Sequence, residues 1–167
     1  MAEAALDPAV VKNAMRLMAS GVTVITTEGA AGRAGLTVSS FSSLSLEPPS
    51  VLFCVHEASS TLPSILANGV FGASVLAHGQ HQVAEAFAGF LPAFKEDRFG
   101  AGSWYSLASS VPLLEGALCG FDCALVESYA FGTHRIVAGR IIAVATQTSA
   151  SPLLYSDRAY HRLQRAA

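Results

Sequence analysis

The sequence predicts an antiparallel β-barrel with a few accessory helices. Most predicted elements are strands, several of them are joined by short turns, and the helices do not alternate regularly with the strands. A doubly wound parallel sheet fits less well, because no Gly-x-Gly-x-x-Gly fingerprint follows the first strand. With 167 residues, the chain is expected to form a single domain over 1–167, with residues 1–8 flexible.

The chain is predicted to begin with a helix and a β-hairpin. Asp7-Pro8 is a typical helix start, because Asp caps free N–H groups and Pro fits the first turn. Apolar residues then recur at helical spacing up to Gly21; they are Val10, Val11, Ala14, Leu17 and Met18. The β-branched run 22–27 predicts a strand, and a flexible turn at 28–33 leads into its partner at 36–40.

The rest of the chain alternates apolar runs with turn residues. Strands are predicted at 51–55, 70–76, 116–128 and 135–146, with a last strand or turn at 153–155. A short helix is predicted to begin at the hydroxyl-rich segment 59–63 and to end at Asn68-Gly69. Another helix is predicted over 80–90, and 91–112 is rich in loops.

The amino-acid composition argues against several classes of partner and favours self-association. Hydrophobic residues make up 51% of the chain and charged residues 13%, so surplus apolar surface predicts burial against a second copy in a homodimer. A net charge of -2 without a basic cluster argues against a nucleic-acid partner. No apolar run could cross a bilayer and no signal peptide is evident, so no membrane partner and a cytoplasmic location are expected.

The cysteines and histidines do not predict a metal site. Cys54, Cys119 and Cys123 are odd in number, which favours reduced thiols, and the last two lack the spacing and His partners of a zinc site. His78 and His81 lie three residues apart without an evident third ligand.

Two strand ends carry the candidate ligand site. The segment 35–41 ends a strand in small hydroxyl residues, and the run 50–55 supplies an apolar strand nearby in sequence. Hydroxyls and free N–H groups at strand ends can hold a flat polar ring and a phosphate. Ser59, Ser60 and Thr61 at a predicted helix start add an anion site. The alternatives are an ordinary barrel rim with Ser and Thr, and plain capping of the helix by Ser60 or Thr61.

Several short motifs, taken in order along the chain, resemble those of the short-chain flavin reductases that serve two-component monooxygenases. Within that family the chain is most similar to the reductase of hydroxyphenylacetate monooxygenase. The similarity covers about residues 14–162. The motifs lie at 19–27, 35–41, 45–49, 59–61, 87–89, 96–99, 112–118, 132–134 and 154–155. Ser74, Asp157 and Ala159 depart from residues that such proteins often carry.

The resemblance implies a function as well as a fold. It implies a split β-barrel homodimer of the Greek-key, FMN-binding type, which binds FMN or FAD and takes hydride from NADH or NADPH. The reduced flavin then reaches a separate monooxygenase by free diffusion. Because the nicotinamide stacks directly on the flavin ring, neither a Rossmann domain nor an acid–base pair is needed.

The resemblance also assigns roles to particular residues. It assigns flavin contacts to Thr37, Val38, Ser39, Ser40, Phe53, Cys54, Val55, Ser59, Ser60, Thr61, Phe87 and Ala88. His134 is the catalytic candidate on the nicotinamide side, together with Tyr155 and Arg158. By spacing alone His134 is an ordinary rim histidine, which is also the interpretation of His56. Lys95 and Arg98 are interpreted as solvated loop charges, with phosphate neutralisation as the alternative.

Two other functions use the same kind of barrel. One is a flavoprotein that keeps its flavin tightly bound and reduces another acceptor, such as corrin-bound cobalt or ferric iron. The other is a non-catalytic flavin- or haem-binding module. Oxidation of NADH that depends on added FMN or FAD separates the flavin reductase from both.

Overall fold

A computed structural model gives the fold of residues 6–147 and 149–164. Of the segment 1–8 that was expected to be flexible, residues 1–5 lie outside the described residues, and Pro8 is already the first residue of a helix. Asp7 caps this helix as predicted, because its Oδ1 accepts a 2.8 Å hydrogen bond from the Ala9 N–H.

The described residues contain the following helices and strands. The helices are α1 (Pro8–Met15), α2 (Leu62–Asn68) and α3 (His81–Ala88). The strands of the first half are β1 (Ser20–Gly21), β2 (Thr23–Thr27), β3 (Ala34–Val38), β4 (Ser42–Leu46), β5 (Pro49–His56) and β6 (Val70–Val75). Those of the second half are β7 (Trp104–Tyr105), β8 (Leu113–Leu114), β9 (Cys119–Phe131), β10 (His134–Thr146), β11 (Leu153–Ser156) and β12 (Ala159–Arg162).

Seven strands form one antiparallel sheet in the order β3-β2-β6-β9-β10-β5-β4. Its two edge strands, β3 and β4, are consecutive in the chain and only residues 39–41 separate them. So short a connection can join opposite edges only if the sheet curls round on itself. The result is a barrel that is split between its edges, with β1, β11 and β12 forming a small second sheet beside it.

Two clusters of buried side chains fill the fold. The first lies inside the barrel and centres on Phe53 and Phe71, whose rings meet edge to face at 5.2 Å. The second lies between the barrel and α3 and includes Val24, Phe87 and Leu153. The two clusters account for the buried faces of β2, β5 and β6, and they hold the ends of β3 and β5 in position.

The predicted barrel, the first hairpin and the three helices agree with the structure, but several short strands were not predicted. β4 is an edge strand whose residues are largely exposed, and β12 is similar, so neither shows the apolar alternation that marks a half-buried strand. α1 ends at Met15 rather than near Gly21, and none of its residues is buried. Its apolar positions remain in solvent: Val10 is 62% exposed, and beyond the helix Met18 is 64% exposed.

We predict that Gly139→Ala destabilises the barrel by about 1–3 kcal/mol, because overpacking displaces core side chains. A Cβ at Gly139 would lie 2.4 Å from Cε1 and Cζ of the buried Phe71. Urea unfolding measures the change. Gly79→Ala is the matched control, since a Cβ there has no atom within 4 Å. Equal stability of the two variants would contradict the close packing of Phe71 on β10.

Candidate functional site

A groove of about 960 Å³ runs along the open side of the barrel. The end of β3, the end of β5, the start of β10 and the C-terminal part of α3 line it, and α1 lies along it. Many of the residues assigned to the flavin or nicotinamide meet here. They are Thr37, Val38, Ser39, Ser40, Cys54, Val55, Ser59, Ser60, Phe87, Ala88, His134 and Tyr155.

Three of the assigned residues do not line the groove. Phe53 is 0% exposed and packs against Phe71, because alternate residues of β5 point into the barrel. Thr61 is 3% exposed, and its hydroxyl donates a 3.0 Å hydrogen bond to the Gly35 carbonyl. Arg158 lies in the turn between β11 and β12 with a φ of 65°, outside the groove. The Ser59 hydroxyl, rather than that of Ser60 or Thr61, accepts from a backbone N–H at the start of α2.

The groove also contains residues that sequence reasoning did not assign to it. They are Lys12, Met15, Arg16, Met18, Ser20, Leu36, His56 and Arg98. The spacing of four residues between Lys12 and Arg16 could have predicted that both side chains lie on the same side of a helix. His56 could not be found in this way, because its place depends on a strand pairing with a segment about eighty residues away.

Ser40 joins the two sides of the groove. Its hydroxyl donates a 3.0 Å hydrogen bond to the Cys54 carbonyl and accepts a 2.9 Å hydrogen bond from the Cys54 N–H. One side chain thereby satisfies both backbone groups of a β5 residue at the point where the sheet is split. The Thr37 hydroxyl is also engaged, since it donates to the Ala84 carbonyl of α3 at 2.7 Å. Both hydroxyls therefore hold the groove together and are not free to bind a ligand.

The backbone at the end of β3 presents free donors instead. β3 pairs with β2 only as far as Val38, and within the described part of the chain the N–H groups of Ser39 and Ser40 have no hydrogen-bond partner. The Ser39 side chain is exposed beside them. Adjacent N–H groups at the rim of a groove suit a planar ligand that carries several acceptor atoms along one edge.

Two histidines stand side by side on another wall of the groove. His56 and His134 are directly paired across β5 and β10, and their rings meet edge to face with centroids 5.0 Å apart. His56 Nδ1 accepts a 3.0 Å hydrogen bond from the Ala58 N–H, so in the neutral ring the proton lies on Nε2. His134 Nδ1 lies 2.9 Å from the Thr133 hydroxyl. The contact between these neighbouring residues orients the exposed His134 ring.

Among the described residues, the charged side chains that line the groove are all basic. They are Lys12, Arg16 and Arg98, and none of the described Asp or Glu residues lines it. Arg98 is fixed by two hydrogen bonds from Nη1, to the Gly35 carbonyl at 3.1 Å and to the Phe87 carbonyl at 3.3 Å. Lys95 is exposed and lies outside the groove. In a chain with a net charge of -2, this concentration of positive charge predicts an anionic ligand.

The remaining reactive groups do not suggest other chemistry. Burial and the adjacent Asp122 carboxylate raise the pKa of the Cys123 thiol to about 12, and burial raises the pKa of the Cys119 thiol, so both stay protonated at neutral pH. Among residues 6–147 and 149–164, no three His, Cys, Asp or Glu side chains are grouped as metal ligands. None of the described helices has the length and apolar character needed to span a membrane.

Comparison with known proteins identifies the family. The model of the flavin reductase like domain matches residues 15–164. The chain belongs to this family. It is 41% identical over 161 residues to the FMN reductase (NADH) RutF 1 of Methylorubrum extorquens, which covers 96% of this chain and 79% of that relative.

Solved flavin reductases share the fold. The NADH:FAD oxidoreductase SgcE6 of Streptomyces globisporus superposes with a TM-score of 0.88 at 31% identity, over 99% of both chains. The styrene monooxygenase flavin reductase of Pseudomonas putida superposes with a TM-score of 0.81 at 26% identity, over 94% of this chain and 99% of that one. The predicted family, split-barrel fold and class of oxidoreductase are thus confirmed. The names of the relatives favour a flavin reductase over a non-catalytic binding module.

We predict that Ser40→Ala weakens this flavin reductase at the split in its barrel. The substitution leaves the Cys54 N–H and carbonyl without their partner, which costs about 1–3 kcal/mol for partly buried groups. Urea unfolding measures the loss. Ser42→Ala is the control, because Ser42 is exposed and its hydroxyl bonds only the adjacent Ser43 carbonyl. A Ser40→Ala protein as stable as the Ser42→Ala protein would contradict the role of this hydroxyl.

Proposed function

We propose that the groove binds FMN or FAD, that NADH or NADPH reduces the flavin there, and that the reduced flavin leaves for a partner monooxygenase. The observation that carries the proposal is that the Ser39 and Ser40 N–H groups have no partner among the described residues, at the rim of a groove whose described charged side chains are all basic. Membership of the flavin reductase family supports the same conclusion.

The groove fits a flavin nucleotide. Its volume of about 960 Å³ is at the upper end of ligand pockets, which allows a nucleotide and a second ring. Leu36, Val38 and Cys54 line the groove and would supply apolar contacts for a flat ring, and we assign the unpaired N–H groups of Ser39 and Ser40 to its acceptor edge. A bound flavin supplies a ring that accepts hydride, while the protein supplies position and electrostatics.

The backbone donors have a second role during reduction. Negative charge builds up on the acceptor edge of the ring as hydride arrives, and fixed N–H groups stabilise that charge without reorganising. The Ser40 hydroxyl is hydrogen-bonded to Cys54 and the Thr37 hydroxyl to α3. These bonds fix the segment that carries the Ser39 and Ser40 N–H groups. Positioning of the two rings supplies much of the remaining rate acceleration.

We assign the flavin phosphate to Arg98 and the adjacent hydroxyls of Ser59 and Ser60. Arg98 and Thr61 both donate to the Gly35 carbonyl, so the guanidinium lies beside the segment that leads into α2. Its bonds to carbonyl groups hold the planar fork in place and leave further N–H donors for a phosphate. This role replaces the interpretation of Arg98 as a solvated loop charge.

We assign the nicotinamide side to His134 and Tyr155, with His56 as the neighbour that supports the His134 ring. All three line the groove. A His134 ring nitrogen can hydrogen-bond the carboxamide and so fix which face of the dihydropyridine meets the flavin. Arg158 does not enter this assignment, because it lies outside the groove.

A homodimer and a cytoplasmic location complete the proposal. Apolar side chains remain exposed along β4, β9 and β10, among them Leu46 at 88% and Phe131 at 82%. Exposed apolar side chains on neighbouring strands are expected to be buried against a second copy. The reduced flavin is expected to reach the monooxygenase by diffusion, as for components of two-component systems.

Steady-state oxidation of NADH and NADPH with FMN, FAD and riboflavin in turn tests the function. We expect turnover that depends on added flavin, and we expect NADH to be preferred, since the names of both the FMN reductase relative and the FAD-dependent neighbour specify NADH. Absence of NADH oxidation with excess FMN would overturn the proposal. Turnover without added flavin would instead favour a tightly bound prosthetic group.

We predict that His134→Ala raises the KM for NADH by about three- to tenfold, the loss expected for one hydrogen bond, and leaves the KM for flavin nearly unchanged. Initial rates at varied NADH and varied FMN measure both constants. His78→Ala is the control, because His78 is exposed and lies outside the groove. Unchanged NADH kinetics in the His134 variant would remove this residue from the site.

We predict that Arg98→Gln weakens FMN binding by about tenfold, the loss expected for a charge-assisted contact to phosphate. Riboflavin, which lacks the phosphate, provides the internal comparison. Quenching of flavin fluorescence measures both dissociation constants. If affinity for riboflavin falls as much as affinity for FMN, Arg98 acts only by holding the Gly35 and Phe87 carbonyls.

A further inference from the structure

We propose that Lys12 of α1 and Arg16, which directly follows this helix, form a second anion site in the groove, which binds the diphosphate of the nicotinamide dinucleotide that donates hydride. The inference rests on the proposed function and extends it, because it assigns the co-substrate's diphosphate to particular side chains. Packing does not explain why α1 lies along the groove, since no residue of this helix is buried. Binding of the diphosphate would give the helix a function there.

The two basic side chains lie on one side of α1, because Arg16 follows its last residue and keeps a helical backbone conformation. Lys12 and Arg16 are four residues apart, the spacing that places side chains one above the other on a helix. Both line the groove, as does Met15 between them. No carboxylate among the described residues forms an ion pair with Lys12, so its charge is available to a ligand.

α1 is tied to the wall of the groove that carries Tyr155. The Arg16 carbonyl accepts a 2.7 Å hydrogen bond from the Asp157 N–H, and the Leu17 carbonyl accepts a 3.2 Å hydrogen bond from the Ser156 hydroxyl. Arg16 Nε also pairs with Asp157 Oδ1 at 3.0 Å. This ion pair uses one edge of the guanidinium, which leaves the terminal N–H groups for a further acceptor.

Backbone positions along β3 and β2 lead us to place the α1 site away from Arg98 in the groove. Arg98 bonds the Gly35 carbonyl near the start of β3, whereas Val38 at the other end of β3 pairs with Thr23 of β2. These two positions on β3 are about 10 Å apart, at 3.3 Å per residue. Just before β2 the chain passes through Ser20, which pairs with Tyr155, and α1 precedes Ser20.

Two separated anion sites match two ligands. The flavin phosphate is assigned to the Arg98 end, and we assign a different phosphate to Lys12 and Arg16. A nicotinamide stacked on the flavin ring would bring its own diphosphate into the same groove, which Tyr155 also lines. The diphosphate of FAD has the same chemistry, but it continues from the flavin phosphate and so begins at the Arg98 end.

Kinetics of Lys12→Gln test the inference, with Lys95→Gln as a matched control outside the groove. With riboflavin as acceptor, so that NADH carries the only phosphates, we expect the KM for NADH to rise about fivefold in Lys12→Gln, as for loss of one exposed charge contact. We expect kcat to change little. The KM for 1-benzyl-1,4-dihydronicotinamide, a hydride donor without phosphate, should stay at the wild-type value, and Lys95→Gln should match the wild type throughout.

The contribution of Arg16 is separated from its structural contact by a second pair of variants. Arg16→Gln removes both the groove charge and the ion pair, whereas Asp157→Asn removes only the ion pair. Asn tolerates the positive φ of 48° at this position. We expect Arg16→Gln to raise the KM for NADH and Asp157→Asn not to raise it. An equal rise in the KM for NADH in both variants would show that Arg16 only holds α1 in place through its ion pair with Asp157.

The possible results distinguish this inference from the proposed function. A wild-type protein that does not oxidise NADH overturns both. An active wild type in which Lys12→Gln equals Lys95→Gln overturns only the α1 site. A Lys12→Gln variant with a raised KM for FAD but an unchanged KM for NADH would also overturn it, and would assign the helix to the adenylate of the flavin.

Discussion

The closure of the sheet between its two edge strands is the constraint on which the rest of this structure depends. β3 and β4 are neighbours in the chain but lie at opposite edges of a seven-stranded sheet, so the sheet must curl until those edges meet. The Ser40 hydroxyl bonds both backbone groups of Cys54 at that meeting point. Without this bridge, the Cys54 N–H and carbonyl would lack their partner, and the segment after β3 would lose its hydrogen bonds to β5.

The chemistry of the groove follows from the incomplete closure. A fully paired barrel would have used the N–H groups of Ser39 and Ser40 in its ladder, and they could then not have faced a ligand. The split leaves these donors free while side-chain hydroxyls hold the surrounding backbone. The flavin site that we propose therefore needs no dedicated domain, which is consistent with a flavin reductase chain that has no dinucleotide-binding fingerprint.

α1 illustrates how little packing is needed to place a functional segment. The helix buries none of its side chains in a single chain, yet hydrogen bonds and one ion pair to the β11–β12 hairpin hold it along the groove. One of its faces presents basic groups to the groove, and several apolar side chains remain in solvent. Such a segment can line a ligand groove without adding to the hydrophobic core.

Local patterns in the sequence determined the helix starts at Asp7 and after Ser59, the first hairpin and the β-rich class, because capping, turn chemistry and the period of apolar residues act over a few positions. The resemblance of short motifs identified the family and many of the groove residues. Only the tertiary structure decided that Phe53 and Thr61 turn away from the groove, and that His56 stands beside His134 and Arg98 beside the start of α2. These relations depend on strand register and on contacts between residues far apart in the chain, and no local propensity encodes them.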